Sequence, residues 1–154
     1  MKLLEKYLKE ELEVYLENNI RFRAIGDLSK FSKSLQNRIL KTQELTSFCT
    51  GLTQVLALNY GSKDEIIRAI KKLNEKGLEV SEKNLESCLD TAGISPVDIM
   101  IRTSGEVRLS NYLLWQNAYA EMFFVQTYWP DFTKTELDDI ISDFSRRERR
   151  FGAV

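Results

Sequence analysis

Two arginines and a hydroxyl, Arg102, Arg108 and Ser110 in the run RTSGEVRLS, form the stretch of this sequence best equipped for chemistry. Guanidinium forks match phosphate oxygens two at a time, and a hydroxyl can donate or accept beside them. The pattern predicts a strand that delivers Arg102 into the turn Thr103-Ser104-Gly105. A helix is expected to begin near Ser110, where free backbone N–H groups would favour an anion. Two readings stay open on spacing alone: a diphosphate-binding turn, or arginines that are solvated or paired with Glu106 and Asp98. The run is not a Walker-type loop. Glu121, read by itself, is a charge at the start of a short strand. The chain contains no histidine, which excludes Ser-His-Asp and Cys-His catalysis and most zinc chemistry. Catalysis must draw on carboxylates, arginines, hydroxyls, amides or a hard metal ion.

The elements that would position these residues follow from periodicity. Leu4, Leu8, Leu12 and Tyr15 have helical spacing over residues 2–18. Ile20, Phe22 and Ala24 alternate with arginines as in a strand that Gly26-Asp27 ends. Phe31, Leu35, Ile39 and Leu40 mark a second helix, and Val55 to Tyr60 a buried strand stopped at Gly61. Asp64 to Lys76 reads as a helix with Ile66, Ile67, Ile70 and Leu73 inward and Gly77 as its stop. Ser81 caps a short helix containing Leu85 and Leu89. Strands are expected at Val97–Ile101 and Met122–Val125, with residues 110–119 helical between them. Thr133 and Glu136 form a capping box for a last helix whose core face is Leu137, Ile140, Ile141 and Phe144. Alternating strands and helices predict an α/β fold, a mostly parallel sheet flanked by helices. Ligands bind such sheets beyond the carboxyl ends of the strands. Gly26-Asp27, Asn59-Tyr60-Gly61-Ser62 and Arg102-Thr103-Ser104-Gly105 all fall there.

At 154 residues the chain has room for one domain, here 1–154, and too little for two of ordinary size. A formal net charge of −1 gives no bulk attraction to nucleic acid or anionic membrane. No apolar run approaches the roughly 20 residues of a bilayer span, and no signal-peptide pattern follows Met1. Cys49 and Cys88 lack a CxxC spacing and read as buried thiols in a reducing cytoplasm.

The run IRTSGEVRLSNYLLWQNAYAEMFFVQTYWPDF at 101–132 resembles the C-terminal signature of bacterial undecaprenyl diphosphate synthases, which are cis-prenyltransferases. NNIRFRAIGDLSKF at 18–31, LALNYGSKDEI at 56–66 and RRERRFG at 146–152 resemble three further blocks of that family, in its order. The resemblance implies cis-prenyl chain elongation. Isopentenyl diphosphate would condense with an allylic diphosphate such as farnesyl diphosphate to make undecaprenyl diphosphate, a lipid carrier precursor for cell-wall synthesis. Matched by position, Arg102, Arg108, Leu109 and Ser110 would bind isopentenyl diphosphate, and Glu121 would be associated with Mg2+. Asn59, Tyr60 and Gly61 would support the active site, and Arg150 and Gly152 match an R-x-G ending that acts across a homodimer. An apolar tunnel would house the product, with Leu4, Leu8, Ile20, Phe22, Leu56 and Leu58 as candidate lining or as ordinary core. A transient membrane-surface contact would release the product.

The family's MDGNGRWA-type and FSTENW-type motifs do not occur in the sequence. The resemblance therefore implies a single partial domain, truncated at the N-terminus and inactive alone. A non-catalytic partner subunit is the second reading, against which the intact RTSGEVRLS and Glu121 argue. An unrelated phosphate-binding α/β domain is the third.

Overall fold

The computed structural model describes residues 2–148, which fall into two compact units divided between Ala92 and Gly93. In the first unit the expected opening helix is two helices, α1 (Lys2–Glu10) and α2 (Leu12–Glu17). β1 (Arg21–Ile25) follows, then α3 (Lys33–Leu45), β2 (Thr53–Ala57), α4 (Ser62–Glu75) and the short α5 (Glu82–Glu86). β1 and β2 pair in parallel, with Arg21 opposite Thr53 and Ile25 opposite Ala57.

Leu8, Tyr15, Phe22, Leu35 and Ile39 form one buried cluster, and Leu4, Ile20, Leu56 and Leu58 pack against it. All six residues named as tunnel candidates therefore belong to this core or its edge. Burial of each large side chain contributes about 1.5–3 kcal/mol. Leu40, expected on the same helix face, is exposed instead. β2 ends sooner than its apolar pattern suggests. Asn59 turns left-handed at φ 47°, so Tyr60 lies beyond the strand.

Helix α4 is rotated from its predicted face. Ser62, Glu65, Ala69 and Leu73 are buried, whereas Ile67 and Ile70 are 53% and 42% exposed. The cause is polar. The Glu65 carboxylate accepts from Tyr60 Oη at 2.5 Å and from the Asp90 backbone N–H at 2.9 Å. Turning Glu65 outward would strand both donors, at about 1–3 kcal/mol each.

Three side chains occupy the outward backbone donors of β1 and of Gly26, the residue after it. Phe22 N–H donates to Thr46 Oγ1 at 3.0 Å, Ala24 N–H to Gln43 Oε1 at 2.6 Å, and Gly26 N–H to Asp90 Oδ2 at 3.0 Å. Gly26 is left-handed at φ 106°, and a Cβ there would lie 2.1 Å from the Leu58 carbonyl oxygen. Only glycine fits that turn.

In the second unit β3 (Ile99–Arg102) pairs in parallel with β4 (Glu121–Phe124), Ile99 opposite Glu121 and Arg102 opposite Phe124. Helix α6 (Lys134–Arg146) closes the described chain. Its predicted capping box is present: Thr133 Oγ1 accepts from Glu136 N–H and the Glu136 carboxylate accepts from Thr133 N–H. Ile140 is the buried member of its apolar face, while Leu137 and Ile141 are exposed in this unit. Parallel strands with flanking helices in both units make the chain α/β, as expected.

Candidate functional site

Residues 103–113, at the carboxyl end of β3, form neither helix nor strand, with turns at Ser104-Gly105 and Ser110-Asn111. Ser104 and Gly105 are successively left-handed, at φ 71° and 69°. Their N–H groups donate to the carbonyls of Thr127 and Val125, both at 2.9 Å. The Gln126 amide lies over Gly105, 2.6 Å from where a Cβ would stand. Arg102, half-buried, reaches across this turn. Its Nη1 donates to the Arg108 carbonyl and, at 3.1 Å, to Ser110 Oγ. Arg108 is exposed and its guanidinium pairs with Glu106, as the alternative reading allowed. Leu109 is half-buried between them, and its carbonyl accepts from Tyr112 N–H at 3.0 Å. Arg102 and Ser110 are thus brought together, with Arg108 joined to them through its backbone.

The helix expected over 110–119 does not form. Ser110, Asn111 and Leu113 are all left-handed, at φ 50°, 61° and 47°, and a right-handed helix cannot pass through them. The helix N-terminus invoked to attract an anion at Ser110 is therefore absent. Anion recognition here rests on side chains.

Glu121 stands at the other end of the same strand pair. Its ladder partner is Ile99, three residues before Arg102, so about 10 Å of strand separates the two at roughly 3.3 Å per residue. Arg147 Nη1 donates to Glu121 Oε2 at 2.7 Å, its Nη2 donates to Asp143 Oδ2 at 3.0 Å, and its guanidinium lies over the Phe123 ring at 4.1 Å. Two carboxylates and a ring thus hold Arg147. Its hydrogen bond keeps the Asp143 carboxyl below the usual range. Among the described residues, no three His, Cys, Asp or Glu side chains group to hold a metal ion. Arg150 and Gly152 lie outside the described residues.

In the first unit Asp27, Asn59, Tyr60, Gly61 and Asp64 line an open hollow at the carboxyl ends of β1 and β2. Asn59 Nδ2 donates to the Asp27 carbonyl at 3.0 Å, and the Asp27 carboxylate accepts from Ser29 N–H and Oγ. Behind the hollow, Arg68 Nη1 and Nη2 grip the two oxygens of Asp90 at 2.7 Å each, and its Nε donates to Asp64 at 2.7 Å. Arg23 caps the carbonyls of Asp90 and Ala92. Nothing in local spacing signals this network, because Gly26, Glu65, Arg68 and Asp90 are spread over 65 residues of chain.

Burial pushes the Asp90 carboxyl upward, but the Arg68 fork, the Gly26 N–H and the charges of Arg68 and Lys72 outweigh it and hold it below its ordinary value. A depressed carboxyl stabilises the fold above its unfolded pKa, about 4, and that stabilisation is lost as pH falls through the folded value. Asp90→Asn is expected to cost about 2–3 kcal/mol at pH 7, with the gap to the parent closing below about pH 4. Urea denaturation of both proteins across pH 3–7 measures it. A gap independent of pH would assign the loss to shape rather than charge.

The chain matches, over residues 1–152, the family model described as "Putative undecaprenyl diphosphate synthase". It is 61% identical over 154 residues to an isoprenyl transferase of Wolinella succinogenes, covering all of this chain and 68% of that one. An isoprenyl transferase of Helicobacter pylori strain J99 is 53% identical over 160 residues, again with 68% of its length covered. The crystal structure of a probable undecaprenyl diphosphate synthase from Campylobacter jejuni superposes with a TM-score of 0.92 at 46% identity, covering 99% of this chain and 72% of that one. Lavandulyl diphosphate synthase from Lavandula x intermedia, in complex with dimethylallyl diphosphate, gives 0.89 at 32% identity, covering 99% and 69%.

Proposed function

We propose that this chain, which belongs to the undecaprenyl diphosphate synthase family of prenyltransferases, serves cis-prenyl chain elongation by holding isopentenyl diphosphate. The observation that carries the reading is the convergence of Arg102 on Ser110 across a left-handed turn at a strand's carboxyl end. Arg102 spends Nη1 within the turn, and its remaining N–H groups suit a diphosphate oxygen. Arg108, exposed and paired with Glu106, can exchange that carboxylate for a phosphate, since a surface pair is worth at most about 1 kcal/mol.

In the reaction the isopentenyl double bond attacks C1 of the allylic partner. The allylic C–O bond breaks, diphosphate departs with the electron pair, and the condensed cation loses a proton. The part of this chain is to anchor the isopentenyl diphosphate so that its double bond is aimed. The described residues do not make a magnesium site by themselves. Magnesium takes near-octahedral oxygen ligands, and Glu121 offers one carboxylate already engaged by Arg147.

Tyr128 and Trp129, 66% and 73% exposed, suit a brief contact with a membrane surface during product release, where aromatic rings sit at headgroup level. No helix among the described residues is long and apolar enough to cross a membrane. Homodimer formation, a cytoplasmic location and the farnesyl starter rest on the family resemblance. Titrating isopentenyl diphosphate into the isotope-labelled chain is expected to shift the amide signals of residues 102–110 and leave those of α1 in place. Unmoved signals at 102–110 under millimolar ligand would sink the assignment.

A further inference from the structure

We propose that Thr127 is a positioning residue for the isopentenyl diphosphate turn, acting through Glu136; this rests on the substrate reading given above. Ser104 lacks glycine's freedom, so its left-handed backbone persists only where neighbouring contacts hold it. Those contacts are the carbonyls of Val125 and Thr127, which lie beyond the last ladder residue of β4, Phe124. The ladder therefore does not fix Thr127. A side chain does: Thr127 Oγ1 donates to Glu136 Oε1 at 2.5 Å.

Glu136 is itself immobilised, because its other oxygen accepts from Thr133 N–H at 3.1 Å and Thr133 Oγ1 at 3.3 Å. Hydrogen bonds from Thr127 and Thr133 hold the Glu136 carboxyl below its usual range, so it is anionic near neutrality and can only accept. The direction of the Thr127 bond follows. The first turn of α6 thus grips Thr127, and the Thr127 carbonyl grips Ser104. Two residues before Ser104 lies Arg102, whose 3.1 Å bond to Ser110 depends on where the turn stands. Capping boxes ordinarily serve their own helix. This one also anchors the turn.

Thr127→Val tests the link, since it removes the hydroxyl, nearly preserves shape and leaves the Thr133–Glu136 bonds intact. On the full chain, hydrogen exchange at Ser104 and Gly105 is expected to accelerate, with isopentenyl diphosphate affinity by NMR titration falling about three- to tenfold, the worth of one hydrogen bond. Thr127→Ser, which keeps the hydroxyl, is expected to return both readouts to the parent values. Parent-like exchange in Thr127→Val overturns the proposal. So does faster exchange with unchanged affinity, which would make Thr127 structural only. Protected turn amides in a parent chain that binds no isopentenyl diphosphate would instead refute the substrate reading, and with it this assignment of Thr127.

Discussion

Purified as residues 1–154, the polypeptide is expected to incorporate no radiolabelled isopentenyl diphosphate into polyprenyl product when farnesyl diphosphate and magnesium are supplied. Condensation requires both diphosphates held with their carbons in reacting geometry, and such positioning supplies about 7–11 kcal/mol of a barrier. The described residues offer one turn with two arginines and a hydroxyl, and no second site of that kind. The expected loss against the Wolinella succinogenes relative is therefore at least about a thousandfold. Supplying, as a separate polypeptide, the segment of the Wolinella succinogenes relative that this chain does not match is expected to restore turnover. Robust product from residues 1–154 alone would overturn the expectation and show that this chain holds both substrates.

The second large effect belongs to Arg102. In the complemented enzyme Arg102→Ala is expected to raise KM for isopentenyl diphosphate about 10- to 100-fold, the equivalent of about 1.5–3 kcal/mol for a charged hydrogen bond. Two losses combine in that figure: a donor to the diphosphate, and the bond that draws Ser110 inward. Arg102→Lys separates them, because an ammonium keeps the charge without the fork that spans the turn. Arg108→Ala should do less, since giving up Glu106 offsets part of what its guanidinium gains from a phosphate and its contribution to the turn is a backbone carbonyl. Steady-state kinetics with isopentenyl diphosphate varied decide the matter. Unchanged KM and kcat in Arg102→Ala would remove it from the site.

Much of this was legible before any coordinates. Local signals with a single physical cause held: the Ser81 and Thr133 caps, the alternation through Phe22 and Ala24, and the stop at Gly77. Arg102 and Ser110 were named together and stand together. The failures share a cause as well. Helix α4 was assigned its face from isoleucines, but a carboxylate bonded to Tyr60 and Asp90 decided the rotation, and those partners are invisible to a window along the chain. The apolar run Tyr112 to Trp115 imitates a helix, yet three left-handed residues around it fold the segment into turns. The charged sequence neighbours of Arg147 give no sign of its partners Glu121 and Phe123, which come from a distant strand. Partners far apart in sequence leave no period to read.

One consequence of the first unit's construction concerns how its sheet can grow. Exposed strand margins normally invite stray chains, because vacant donors offer a ready template. Along β1 and at Gly26 just beyond it, the donors of Phe22, Ala24 and Gly26 are taken by Thr46, Gln43 and Asp90. Recruitment of a foreign strand at that margin would first have to eject three side chains, one of them the carboxylate gripped by Arg68. The sheet is thereby made one-handed in its growth. Any strand that joins it adds beside β2, and fibrillar stacking through β1 is blocked by the protein's own side chains.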